Sequence, residues 1–132
     1  MTYGLDTSVV LRIITGEPQS LAEAVSARIV ELQDEGNDFF ISGIVVSEAY
    51  YALQYFYGNT KEDAIVALRA LARESGFSVS AEAKAALETP EAWKANPGLV
   101  DRMIAGGYAM RGHITLSCEK SFHRLDLAEV VG

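Results

Sequence analysis

The sequence predicts an α/β fold, with short strands and longer helices alternating around a mainly parallel central sheet. Three observations predict it. Short β-like runs ("TYGL", "DFFIS", "FSVS", "HITLSC") recur along the chain, and each is followed by a stretch of helical period. That alternation is the signature of βαβ units. Glycine and proline stand at the joins, notably Gly16, Gly58, Gly76 and Asn96-Pro97-Gly98. No repeat, low-complexity tract or linker interrupts the chain, and 132 residues suit one domain over residues 1–132 with a single core.

Taken in order, "TYGL" is a first strand and "TSVVLRIIT" turns straight into a helix, with Thr7 or Ser8 placed to cap it. Pro18 suits a first helical turn, and "SLAEAVSARIVELQDEG" carries Leu21, Ala24, Val25, Ile29 and Leu32 on one stripe. "DFFIS" is a second strand. "GIVVSEAYYALQYFYG" is a strongly apolar helix closed by Gly58. Thr60 and Asp63 form a capping-box-like start to "KEDAIVALRALARESG", which ends at Gly76. "FSVS" is a third strand, followed by the helix "AEAKAALET" and a Pro90-initiated helical turn, "PEAWKA". After the Asn96-Pro97-Gly98 break comes the helix "LVDRMIAGGYAMRG", then the fourth strand "HITLSC", a short helix or turn "EKSFHRL" and the edge strand "LAEVV".

Composition narrows the function. An apolar fraction of 49% is that of a globular chain. No run approaches the roughly 18 apolar residues that span a bilayer. The opening "MTYGLD" has neither a basic n-region nor a cleavage pattern, so no signal peptide is expected. The single cysteine, Cys118, rules out an internal disulfide and fits a reducing cytoplasm; it reads as a small buried residue ending a strand. A net charge of −7 is wrong for a general polyanion binder, so any contact with nucleic acid must rest on a local basic rim and on metal.

The chemistry is carried by acids at the ends of apolar segments: Asp6 in "YGLDTSVVLRI", Glu48 in "ISGIVVSEAYYAL", Asp101 in "NPGLVDRMIAGGYA" and Glu119 in "ITLSCEKSFHRL". Carboxylates pressed against Val, Ile and Leu are costly to desolvate, and several so placed point to a shared positive object. A hard divalent metal ion, which takes several oxygen ligands at once, is such an object. In open α/β sheets sites form beyond the carboxyl ends of the strands, where Asp6 and Glu119 fall; Glu48 and Asp101 lie on helices that aim back over that edge. Each acid has a plainer reading. Asp6 caps the following helix, Asp101 pairs with Arg102 or complements its helix N-terminus, and Glu119 is a first-turn glutamate. Ser8 either caps or holds an acid or a metal-bound water in place. Arg12 and Lys120 are candidates for phosphate at the mouth of the site, and a solvated helix arginine is the other reading of Arg12.

These frames resemble the PIN-domain ribonucleases and, within them, the VapC-type toxins of bacterial toxin–antitoxin pairs. "LDTSVVLRII" looks like the family's opening aspartate motif, with Ser8 as its accompanying hydroxyl. "SGIVVSEAYYAL" is similar to the helix bearing the glutamate, and "VDRMIAGGYAMRGHITLSCEKSFHRL" resembles the stretch with the third acid and the strand-end acid. The resemblance implies a three-layer α/β/α domain, Mg²⁺ or Mn²⁺ on Asp6, Glu48, Asp101 and Glu119, and RNA as substrate with a 5′-phosphate product. It also implies a small antitoxin protein as partner, a homodimer and a cytoplasmic setting. The pattern departs from the family at Glu119, where aspartate or asparagine is commoner, and at Ser121, where a further acid often stands.

Other acidic α/β chemistries fit less well. A phosphatase that forms an aspartyl-phosphate needs a second acid two residues after the first, and Ser8 holds that place. A receiver module needs paired acids after strand one, and none is present. The remaining rival is a PIN-like protein-binding module with a weak or inactive metal site. The stretch Tyr50, Tyr51, Tyr55, Phe56, Tyr57 exceeds what one core face needs. Either it is core packing, or Tyr50 and Tyr57 share a face that docks a partner.

Overall fold

The computed structural model describes residues 1–132 and divides into two compact units, Met1–Ser80 and Ala81–Gly132.

The first unit runs β1 (Thr2–Gly4), α1 (Thr7–Thr15), α2 (Gln19–Asp34), β2 (Asp38–Ile41), α3 (Gly43–Tyr55), α4 (Lys61–Ala72) and β3 (Phe77–Val79). Its sheet has the order β1-β2-β3, and both pairings are parallel. The register sets Tyr3 opposite Phe39 and Phe39 opposite Phe77, so three rings meet in tilted contacts across one face, with centroids 6.3 Å and 5.1 Å apart. Phe39 and Ile41 are the buried half of the alternation along β2. Both crossovers step the same way across the sheet, so the right-handed rule puts α1 to α4 on one face. Accordingly α1 packs on α3 and α4 as well as on α2. Val10, Val46, Leu53 and Ile65 fill the space between them.

Local chemistry fixes the helix ends. Gly16, at φ 68°, takes the left-handed position that closes α1, and its N–H reaches the Arg12 carbonyl. Ser42 caps α3 by accepting from the Val45 N–H at 3.3 Å. Thr60 caps α4 by accepting from the Asp63 N–H at 3.1 Å, the cap its sequence predicts.

The second unit holds α5 (Ala81–Leu87), a 3₁₀ turn (Ala92–Lys94), α6 (Leu99–Met110), β4 (Thr115–Ser117), a second 3₁₀ turn (Lys120–Arg124) and β5 (Ala128–Val130). Strands β4 and β5 pair in parallel, Thr115 opposite Ala128. Helices α5 and α6 lie close enough that a Cβ on Gly106 would meet the Glu82 Cβ at 3.6 Å. Ala83, Leu87, Leu99, Met103 and Phe122 form the core.

The α/β class and the parallel pairing are as the sequence predicts, with the strands in a three-stranded and a two-stranded sheet. Smaller expectations need correction. On α2 the inward stripe is Ala22 and Leu32, both buried, with Val25 and Ile29 half-buried, while Ala24 is exposed and Leu21 is 48% exposed. The stripe keeps its period but starts one residue later. The turn after Pro90 begins at Ala92, because Glu91 takes φ 49°, outside the helical region. Cys118 is exposed beyond the end of β4 and is not a core residue. No helix is long and apolar enough to cross a membrane.

Candidate active site

In the first unit Asp6 follows β1 directly, after Leu5 has donated to the Phe40 carbonyl at 2.9 Å. It is the N-cap residue of α1. Its backbone carbonyl accepts from Val9 and Val10, yet its side chain makes no capping bond. The plain reading of Asp6 as a helix cap therefore fails for the carboxylate, which instead accepts from the Ser8 hydroxyl at 3.2 Å. Glu48 lies on α3, and its Oε1 accepts from the Thr7 hydroxyl at 2.8 Å. Asp6 and Thr7 are consecutive, about 3.8 Å apart at Cα, so this bond holds Glu48 against the turn that begins with Asp6. No lysine or arginine of this unit is bonded to either carboxylate.

Both acids are solvent-exposed, which overturns the desolvation argument drawn from their apolar neighbours in sequence. Those neighbours turn inward, as Leu5, Val10, Val46 and Ala49 do, while the acids sit where a strand ends or on an outer helix face.

Arg12 is not the freely solvated helix arginine of the plainer reading. It is half-buried, its Nη2 donates to the Tyr57 hydroxyl at 2.7 Å, and its Nε is buried without a partner.

In the second unit Asp101 is half-buried in the first turn of α6, where negative charge complements the helix N-terminus. It does not pair with Arg102, whose Nε donates to the Pro97 carbonyl at 2.8 Å. Glu119 is exposed at the end of β4 and precedes the second 3₁₀ turn; its N–H donates to the Ser117 hydroxyl at 3.0 Å, and its side chain caps nothing. Lys120 beside it is exposed, and Arg124 donates to the Asn96 carbonyl at 3.1 Å. Each unit thus carries two of the four acids, and neither unit by itself gathers three or more His, Cys, Asp or Glu side chains into a group that could hold a metal ion.

The donors in hand nonetheless suit a hard cation. Asp6 and Glu48 offer oxygen only, are oriented by neutral hydroxyls and carry no paired cation, which favours magnesium or manganese over a metal seeking sulfur or imidazole. Thr7 is the residue that sequence reasoning missed. Its hydroxyl was visible beside Asp6, but its partner is 41 positions away.

The aromatic stretch divides differently from its sequence pattern. Tyr50 is core, 6% exposed, and its burial pushes the phenol pKa above the ordinary value. Tyr57 lies beyond α3 and is bonded to Arg12, so the expected Tyr50–Tyr57 docking face does not exist. The exposed line on α3 is Ile44, Tyr51 and Tyr55, with Phe56 after its last turn at 85% exposure. Residues 44, 48, 51 and 55 recur at helical spacing, so Glu48 stands within this apolar line.

The chain matches the PIN domain family over residues 3–127. It belongs to that family. The PIN match spans residues of both units and covers all four acids. Among solved structures the chain is similar to one in the crystal structure of VapBC2 from Rickettsia felis bound to a DNA fragment from their promoter. That likeness has 20% identity, covers 98% of each chain and has a TM-score of 0.43. A comparison with curated proteins finds no match.

Proposed function

We propose that this PIN domain protein is a metal-dependent endoribonuclease that hydrolyses RNA phosphodiester bonds. In this reading Asp6, Glu48, Asp101 and Glu119 hold Mg²⁺ or Mn²⁺. The observation that carries it is the use made of the first turn of α1. Asp6 makes no side-chain cap, and both Asp6 and Glu48 accept from hydroxyls and form no ion pair within their unit. Carboxylates serving only structure would be expected to cap or to form ion pairs. A divalent ion held by these acids would supply neutralisation of phosphate charge and a lowered pKa for hydrolytic water. The chain's own part is to hold Asp6 through Ser8 and to offer Lys120 as an exposed phosphate contact. No side-chain nucleophile is required.

The biological setting we propose is the toxin of a type II toxin–antitoxin pair, cytoplasmic, with a small antitoxin protein as partner and a homodimer as its own assembly. The sequence motifs that resemble VapC-type toxins support it, and so does the exposed apolar line on α3 around Glu48.

A second reading, a PIN-like protein-binding module with a weak site, is favoured by that same apolar line and by the absence of a three-acid group within either unit. Incubation of the purified chain with a mixed RNA set separates the two. A nuclease cleaves in Mn²⁺, stops in chelator, and loses activity on the order of 100-fold in Asp6→Asn. A binding module gives no metal-dependent cleavage, and that result sinks the proposal.

A further inference from the structure

We infer that Thr7 is a positioning residue for Glu48, an inference that rests on the metal-site reading above and adds to it a residue that acts through the ligand. The hydroxyl of a serine or threonine inside a helix commonly turns back to the carbonyl four residues earlier. This chain does so repeatedly. Thr15 bonds the Leu11 carbonyl at 2.7 Å and Ser47 bonds the Gly43 carbonyl at 3.0 Å. Thr7 is the first residue of α1, so no helical carbonyl lies behind it. The N-cap position is already filled by Asp6. The hydroxyl is therefore left to find a partner elsewhere, and it donates to Glu48 Oε1 at 2.8 Å across 41 positions of sequence.

Glu48 needs such a partner. It is exposed on α3 between the exposed Ile44 and Tyr51, and its side chain accepts a hydrogen bond from Thr7 alone. An exposed glutamate without a fixed partner samples several rotamers, and a ligand that samples rotamers binds a metal less well. Threonine suits the task because its branched Cβ restricts χ1 and so presets the direction of the hydroxyl. The bond occupies one side of Oε1 and leaves Oε2 to a ligand. Ser8 serves Asp6 in the same turn, so two neighbouring hydroxyls hold two carboxylates from different elements.

The test uses the full chain and Mn²⁺ alone, titrated by electron paramagnetic resonance of the free ion. Melting temperature in chelator monitors the fold. Thr7→Val keeps the side-chain shape and removes the donor; Thr7→Ser keeps the donor. Loss of a partner that orients a ligand weakens metal binding by about 10-fold or more. We expect that loss in Thr7→Val at an unchanged melting temperature, with Thr7→Ser restored to within about 3-fold of wild type. Should Thr7→Val melt well below wild type, Thr7→Ala is judged by the same standard. Wild-type affinity in the donor-less variant, or a serine variant as weak as valine, overturns the role of Thr7 and leaves the metal site standing. A wild-type chain that binds no Mn²⁺ overturns the metal-site reading itself, and the role of Thr7 with it.

Discussion

The guanidinium of Arg12 donates through Nη2 to the Tyr57 hydroxyl at 2.7 Å, tying α1 to the segment that follows α3. The Nε of the same group is buried with no partner, so this bond carries much of the compensation for a half-buried charge. Leaving a charged donor unmet costs more than the bond itself contributes.

Tyr57→Phe removes the acceptor and little else. It is expected to lower stability by about 1–2 kcal/mol, seen as a fall of several degrees in the melting temperature. An unchanged melting curve would show that water replaces the phenol without loss.

The exposed line on α3 makes a second, separable expectation. Tyr55 and Phe56 are 77% and 85% exposed, and each would bury about 150–250 Å² if covered. Tyr55→Ser combined with Phe56→Ser is therefore expected to weaken self-association or partner binding at unchanged melting temperature. Tyr50→Ser, in the core, is expected to cost about 3–5 kcal/mol. Sedimentation and thermal melting of both variants check this. Loss of fold in the Tyr55/Phe56 variant, or none in Tyr50→Ser, would reverse the assignment.

That contrast also shows what the sequence could and could not reveal. Hydrophobic period and turn residues placed the strands and helices closely. Thr60 and Asp63 announced their cap, and the αL glycines Gly16, Gly58 and Gly76 marked joins. Helix α6 runs through Gly106 and Gly107 because its packing against α5 outweighs their propensity. What period alone does not give is phase. On α2 it chose Leu21 over Ala22, and on α3 it grouped Tyr50 with Tyr57, although the helix ends at Tyr55 and Tyr57 no longer follows helical spacing. At the candidate site the sequence singled out Asp6 and Glu48 but misjudged their surroundings. Apolar neighbours in the chain suggested burial, whereas alternate faces of strand and helix leave both acids in water. The Thr7–Glu48 and Arg12–Tyr57 bonds join residues 41 and 45 positions apart, a distance at which no local pattern speaks.

Glu119 differs from Asp6 in ways that rank the two. Its carboxylate has a longer arm, is exposed, and has no hydroxyl fixing it, whereas Asp6 is short and held by Ser8. Glu119→Gln is accordingly expected to lower RNA cleavage by a smaller factor than Asp6→Asn under saturating Mn²⁺. Equal losses in the two rate measurements would make Glu119 a ligand of the same rank.

The central claim is that these acids hold a divalent ion, and thermal melting with and without Mn²⁺ tests it most directly. A ligand bound only by the folded chain stabilises it by about 2.7 kcal/mol at a hundred times its dissociation constant. Wild type is expected to melt several degrees higher in saturating Mn²⁺ than in chelator, with Asp6→Asn and Asp101→Asn matching wild type in chelator and gaining much less from the ion. A wild-type melting temperature that neither Mn²⁺ nor Mg²⁺ moves would contradict the claim.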